Sequence, residues 1–470
     1  MAELMVVMLA GAVQENNMEN GYILSNEILG HKINDSKYDH KYSFKASGSL
    51  NDLELFTQGQ PIDLYKELRE NAPVYFHPKM LTDPEPGYWV LTKYEDIKYV
   101  SMNPKIFSSQ YSTGNLLTLG TEENRHPKLF KSAIDHMLNL DGEMHLGLRK
   151  EHMPFFKPGY VSELQKKVSL KVTELLDNIA PLGECNLVHH VSQQLPIYTL
   201  SEILGIPKED RQKLASWMEF LELAQYFTYE MIKEQNEGKS ESSPDPAMID
   251  MFNAMVDEMF DYGRFILKNK RENPSDDLLS AIANAKIDDK KLTDEFLDGS
   301  WLLIIFAGND TTRNTMSGGI KLLHENQSQK ELLMQNLDLL PNFINETVRC
   351  VSPVIHMRRT SLEETEINGQ RIGPYEKISL WYGAANRDPD IFENPDQFNI
   401  QRENADKHLA FGIGRHTCLG KPVALMQLQE FYSQFLVRFK DFEMNGDWKV
   451  APNNFVHAIQ EMPIKFTPIK

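Results

Sequence analysis

The chain has 470 residues, 41% of them apolar and 25% charged, which allows one large core or several ordinary ones. A formal net charge of −18 argues against nucleic acid as a general partner, because phosphate binding needs a basic face. Three scattered cysteines, Cys185, Cys350 and Cys418, make neither a metal cage nor a disulfide framework, and so favour a reducing compartment. Residues 1–50 are rich in Asn, Ser, Asp and Lys and read as a weakly ordered segment, leaving 51–470 as the folded domain. The apolar stretch Leu4–Val13 follows Glu3 rather than a cationic region and is too short to cross a bilayer. Met18 offers a second, more ordinary start, so residues 1–17 read as a tail. No run of about 20 apolar residues occurs, and the expectation is a soluble, cytoplasmic protein.

Along the chain, Pro61–Asn71 reads as a helix, and Val74–Phe76 and Tyr88–Leu91 read as strands. In the run Asp141–Arg149, His145 and Arg149 stand four apart and share one helix face. Nearly everything from about 160 to 340 has helical period. The polar run Glu234–Pro246 interrupts it as a mobile loop, either a surface linker or a lid. A helix beginning near Asp294 contains Ala307-Gly308-Asn309-Asp310-Thr311-Thr312, in which Gly308 and Asp310-Thr311-Thr312 are poor choices for a buried helix. Gly308 leaves room against the helix face, and a threonine hydroxyl can bond back to a carbonyl one turn earlier and open the helix. An acid beside it can relay protons; the plain alternative is a kink with satisfied polar groups. Glu346 and Arg349, spaced i, i+3, can pair on one helix face. Strands return near Thr365–Ile372 and Lys377–Trp381, and a last helix runs from about Pro422 to Phe439. The sum is a mainly α domain with a minor β part.

Between those elements lies Phe411-Gly412-Ile413-Gly414-Arg415-His416-Thr417-Cys418-Leu419-Gly420, a lone cysteine held among glycines with basic residues before it. Glycines let backbone pass close to a flat ligand and turn N–H groups toward a sulfur. A single thiolate as the axial ligand of haem iron favours O–O cleavage, whereas a buried free cysteine is the commoner fate of the residue. This run resembles the signature Phe-x-x-Gly-x-x-x-Cys-x-Gly of the cytochromes P-450, and the resemblance extends from about residue 55 onward. It implies a single large domain with haem b between the long central helix and the cysteine loop, Cys418 being the iron ligand and Phe411, Gly412 and Gly420 shaping the loop. By the same resemblance, Asp310 and Thr311 deliver protons while O2 is activated, and Ala307 and Gly308 line the oxygen site. His145, Arg149, Arg359 and His416 fall at positions that hold the haem propionates. Glu346 and Arg349 form a buried pair behind the cysteine loop. Their third partner is expected in Asn394–Phe398, but many members have a basic residue where this chain has Gln397, and Arg402 is the replacement to examine.

Within the family, the wording around Ala307–Asn314, Met357–Thr360 and Leu380–Tyr382 resembles soluble bacterial hydroxylases of exposed methyl groups on alkanes, branched lipids and sterol side chains. The resemblance implies electrons from NAD(P)H through a separate ferredoxin and ferredoxin reductase, since no flavin or iron–sulfur segment is present. Arg415, Lys421, Lys150 and Lys407 would form a local basic patch for an acidic ferredoxin on the cysteine side of a monomer. Pocket positions of the family fall at Phe107–Leu119, Trp217–Tyr229, Ile304, Val354–His356 and Phe455–His457. Several are polar, namely Gln110, Tyr111, Gln225, Tyr226, His356 and His457. Such groups suit a hydroxyl-bearing substrate better than a bare alkane. Oxidative O-demethylation of a methoxylated small molecule, such as a sugar, therefore stands beside hydroxylation of an aliphatic chain, which the resemblance favours. A non-catalytic haem-thiolate sensor would have no use for Asp310 and Thr311, and a peroxide-driven enzyme would tend to lack them.

Overall fold

The computed structural model describes residues 44–78, 87–110, 127–134, 136–218, 220, 246–287 and 289–469. Residues 44–50, read from the sequence as part of the weakly ordered segment, pack onto the sheet end of the molecule, where Leu50 is buried in one cluster with Phe56, Tyr75 and Trp381. The main sheet has the order Val74–Pro78, Gly87–Leu91, Lys377–Trp381, His356–Ser361, Phe107–Ser108. Trp89 faces Phe76 across an antiparallel pair and Ile378 across a parallel one, so Gly87–Leu91 is a central strand buried along its length. His356–Ser361 pairs antiparallel with Lys377–Trp381, setting Arg359 opposite Ile378 and Met357 opposite Leu380. Thr365–Ile367 and Gln370–Ile372 form a hairpin across Asn368 and Gly369, both at positive φ.

The helical body is built on apolar stripes. Helix Pro158–Ile179 turns Leu164, Val168, Val172, Leu175 and Ile179 inward, and Gln165 and Thr173 bond to Glu430 and Gln434 of helix Lys421–Arg438. Helices Gln194–Leu204, Pro246–Glu272, Asp294–Ala307, Asp310–Glu325 and Leu340–Val351 complete the layer. The helical stretch 160–340 also carries the short strand Glu184–Asn186 and a hairpin at Lys286–Lys291, too brief for sequence period to register.

Glu346 sits at the centre of a charge cluster with no exposure at all. Arg349 clamps its carboxylate, Nε to Oε2 at 2.7 Å and Nη2 to Oε1 at 2.8 Å. Arg402 Nε donates to both oxygens at 3.1 Å. The arginines then hold backbone carbonyls: Arg349 Nη1 those of Asn386 and Pro395 at 2.7 Å, Arg402 Nη1 that of Glu393 at 2.6 Å and Arg402 Nη2 that of Gln397 at 2.9 Å. Arg402 therefore supplies the third member, and Gln397 serves through its carbonyl oxygen alone. Asn386, one of the anchored residues, accepts from Leu409 N at 2.6 Å, and Leu409 opens the cysteine loop.

Removing a partner from a buried carboxylate leaves charge uncompensated. Arg402→Ala is expected to lower the unfolding free energy by about 3–5 kcal/mol in denaturant titration. Gln397→Ala keeps the carbonyl and should change it by less than about 0.5 kcal/mol; a large loss there would reverse the assignment of the third member.

Candidate functional site

The cysteine loop is a tight backbone device. Cys418 N donates to Phe411 O at 2.8 Å and Thr417 N to Gly414 O at 3.1 Å, with Gly412 and Gly414 at φ 67° and 78°. A Cβ on Gly414 would stand 2.7 Å from Ser101 O, so the loop lies directly on helix Tyr94–Met102. Lys421 caps the Phe411 ring at 5.3 Å. Cys418 is exposed, although protein atoms crowd around its sulfur. Burial pushes its thiol above the ordinary range, and the Gly420 N–H, the Arg149 guanidinium and the Lys421 N–H oppose that shift.

Cations converge on the same loop. Arg149 Nη2 donates to Thr417 O at 2.6 Å. The His145 ring, one turn earlier on helix Gly142–His152, stacks on His416 with centroids 4.1 Å apart. Burial, then the neighbouring His416 and Arg149, push His145 down to about 3, so at neutral pH it is an uncharged imidazole. Asp141 precedes that helix without capping it. Its carboxylate instead accepts from Ser108 Oγ at 2.5 Å and Ser109 N at 3.1 Å, and lies 3.8 Å from His416 Nε2. The field of Asp141 reaches Arg359, which is buried on strand His356–Ser361. His145, Arg149, Arg359 and His416, grouped by resemblance, thus gather around one end of the cysteine loop. Asp141 carries no sign of this role in the sequence, since Ser108 and Ser109 lie more than thirty residues away.

The central helix breaks where its polar run stands. Asp294–Ala307 ends at Gly308, Asn309 has φ −105° and ψ −65°, and Asp310–Glu325 begins anew. Thr311 Oγ1 donates back to Ala307 O at 3.4 Å, across the break. Ala307 is exposed although its helix runs through the body, and Thr311, one turn on, is partly exposed beside it. Two expectations change here. A Cβ on Gly308 would meet Leu200 at 3.0 Å, so the bare side of this glycine admits helix Gln194–Leu204 rather than a ligand. Asp310 is held by Asn309 Nδ2 at 3.0 Å and Arg313 Nη2 at 3.5 Å, with no bond to Thr311.

These residues fit a haem. Both ring nitrogens of His145 are buried without a hydrogen-bond partner, which leaves its ring N–H for another group. Two arginines stand with it, a charge set suited to carboxylates. Among the described residues no group of three or more His, Cys, Asp or Glu could hold a bare metal ion. A lone thiolate suits a metal whose remaining in-plane ligands come with a macrocycle.

The polar pocket expected from the sequence is not borne out by the described residues. His356 Nδ1 lies 2.8 Å from Asn454 O, with its ring stacked on Trp381 at 4.6 Å. His457 is buried, its Nδ1 sealed from solvent and its ring 5.7 Å from Trp448. Trp217 belongs to an aromatic cluster with Tyr262 and Trp301. Ile304 and Val354 are partly exposed, and Gln110 is exposed. Tyr111, Gln225, Tyr226 and the loop 234–245 lie outside the described residues.

Gly414→Ala should cost about 1–3 kcal/mol through its positive φ and the Ser101 carbonyl, and should lower haem occupancy on purification. Gly147→Ala, in open space on helix Gly142–His152, should stabilise by up to about 1 kcal/mol in the same denaturant assay.

A sequence profile of the family described as Cytochrome P450 matches residues 243–467. Linalool 8-monooxygenase of Pseudomonas putida is 31% identical over 421 residues, covering 89% of this chain and 98% of that protein. A steroid C26-monooxygenase of Mycolicibacterium smegmatis is 29% identical over 88% of this chain and 94% of its own length. Among solved structures, a Mycobacterium marinum cytochrome P450 in complex with pseudoionone superposes with a TM-score of 0.75 at 30% identity, covering 86% of this chain and 94% of that one. Cytochrome P450-153 from Novosphingobium aromaticivorans gives 0.76 at 27% identity, over 91% and 99%. The cysteine loop, the break in the central helix and the likeness over nearly the whole length have one common source: the chain belongs to the cytochrome P450 family of monooxygenases.

Proposed function

We propose that this cytochrome P450 hydroxylates an exposed methyl group of a hydrocarbon-rich substrate, a terpenoid, a branched lipid or a sterol-like side chain. One observation carries the reading. Of the polar side chains that would serve a hydroxyl-rich substrate, His356 is already committed to the protein through Asn454 O. On the central helix Ile304 and Ala307 are open one turn apart, beside the partly exposed Thr311. Burying unpaired polar substrate groups there would be costly, and burying methylenes favourable. Relatives named for linalool 8-monooxygenation and for omega-hydroxylation of methyl-branched lipid support it.

Haem bound through Cys418 supplies O–O cleavage and insertion of one oxygen atom of O2 into a C–H bond, the other leaving as water at a cost of two electrons and two protons. The protein's own part is binding and proton supply. Arg149 and Arg359 would neutralise the propionates, with His145 and His416 as further hydrogen-bond donors. Thr311 would hold a proton at Oγ1, released from its weak bond to Ala307 O. Asp310 would restore that proton through a water or a side-chain rotation, because Asn309 and Arg313 keep its carboxylate off the threonine. Exposed Arg415, Lys150 and Lys407 support docking of an acidic ferredoxin, fed by an NAD(P)H-dependent reductase in the cytoplasm, to a monomer that is itself acidic overall.

The first test is a titration of the ferric protein with terpenoids, branched fatty acids, a sterol and methoxylated sugars, following the spin-state change in haem absorption. Hydrocarbon-rich compounds are expected to give the shift. A response confined to methoxylated compounds, followed by formaldehyde release on turnover, would replace hydroxylation by O-demethylation. Thr311→Ala should keep consuming NADH while diverting most of it to hydrogen peroxide, a loss of coupling of roughly tenfold or more; unchanged coupling would remove Thr311 from proton supply.

A further inference from the structure

Tyr382 directly follows strand Lys377–Trp381, and alternation along the strand decides where its ring goes. Trp381 turns to the N-terminal layer, stacking on His356 at 4.6 Å and on Phe56 at 6.2 Å. Ile378, Leu380 and Tyr382 turn the other way, into the cluster shared with Phe392 and Leu409 beside the cysteine loop. Arg359 stands directly opposite Ile378 in the antiparallel register, so its side chain leaves the same face of the sheet. The phenol and the guanidinium are near enough to act on each other's charge. A Cβ on Gly412 would come 3.7 Å from the Tyr382 hydroxyl, which sets that oxygen against the loop that carries Cys418.

The ring is 4% exposed, and buried tyrosine hydroxyls ordinarily find a partner. Among the described residues no hydrogen bond reaches the Tyr382 hydroxyl. Nor is it one of the sealed, partnerless oxygens, as the Tyr65 hydroxyl is. A buried ring whose hydroxyl is neither bonded nor sealed points that hydroxyl into an internal space, and the space is the one Arg359 shares.

We propose that Tyr382 is a further haem-propionate ligand, its O–H donating to the carboxylate that Arg359 neutralises. The inference rests on the propionate-binding role given above to Arg149 and Arg359. A phenol adds what the arginines lack, a neutral, rigidly placed donor that costs no further buried charge.

Tyr382→Phe keeps the ring and its packing and removes the donor alone. Haem transfer from the purified holoenzyme to excess apomyoglobin should quicken about tenfold, the size expected for one hydrogen bond to a charged group. The haem midpoint potential should move to a more negative value, since the propionate loses a donor that offsets its charge. Faster transfer with an unmoved potential would mean that the hydroxyl serves only loop packing, and would overturn the proposal. Arg149→Ala is the companion variant. If it quickens haem transfer while Tyr382→Phe changes neither readout, the cationic cradle stands and the tyrosine has no part in it. If neither variant changes haem transfer, the cradle itself falls and the tyrosine with it.

Discussion

A carboxylate with no access to water is the constraint on which the cysteine side of the molecule rests. Taking an ion out of water costs several kcal/mol, so Glu346 stays in place only with compensation from every direction. Arg349 and Arg402 provide it, and together they bring more charge than one carboxylate can balance. Their spare donors therefore turn to backbone carbonyls of Asn386, Glu393, Pro395 and Gln397, segments without helix or strand to hold them otherwise. Asn386 passes the constraint on, its side chain binding Ser352 Oγ and accepting from Leu409 N. The entry to the cysteine loop is thus fixed by an electrostatic requirement at a residue that never meets the ligand.

The same reasoning separates the roles of the four groups around the loop. Burial is the largest cause lowering both histidines, His145 to about 3. Arg149 and Arg359 stay charged in any setting and would bring positive charge to the carboxylates of a bound porphyrin. Asp141 limits the excess, and its bonds to Ser108 and Ser109 tie helix Gly142–His152 to the strand that pairs with Thr360 and Ser361. One anion so fixes the relative position of several cation-bearing elements.

How far the sequence was legible follows the range of each interaction. Glu346 and Arg349 are three residues apart on a helix, and the glycines and Cys418 lie within one loop, so spacing exposed both. Arg402 bonds Glu346 across 56 residues of chain and could be inferred only as something to make good the missing basic residue at Gln397. Gly308 was legible as a residue that lets something approach, but not which element; Leu200 arrives from another helix. That Asn309 and Arg313 converge on the Asp310 carboxylate depends on side-chain direction, which residue spacing alone does not give. His356 was misplaced as a pocket residue for a similar reason. Residue type says that a histidine needs a partner, and only the fold says that Asn454 O is already there for His356.

The sulfur is the last element of the argument. Burial raises the Cys418 thiol, and the N–H donors of Gly420 and Lys421, the Arg149 guanidinium and the Lys421 ammonium all act against that rise. A ligating metal cation would act in the same direction as these groups, since a coordinated thiol is deprotonated.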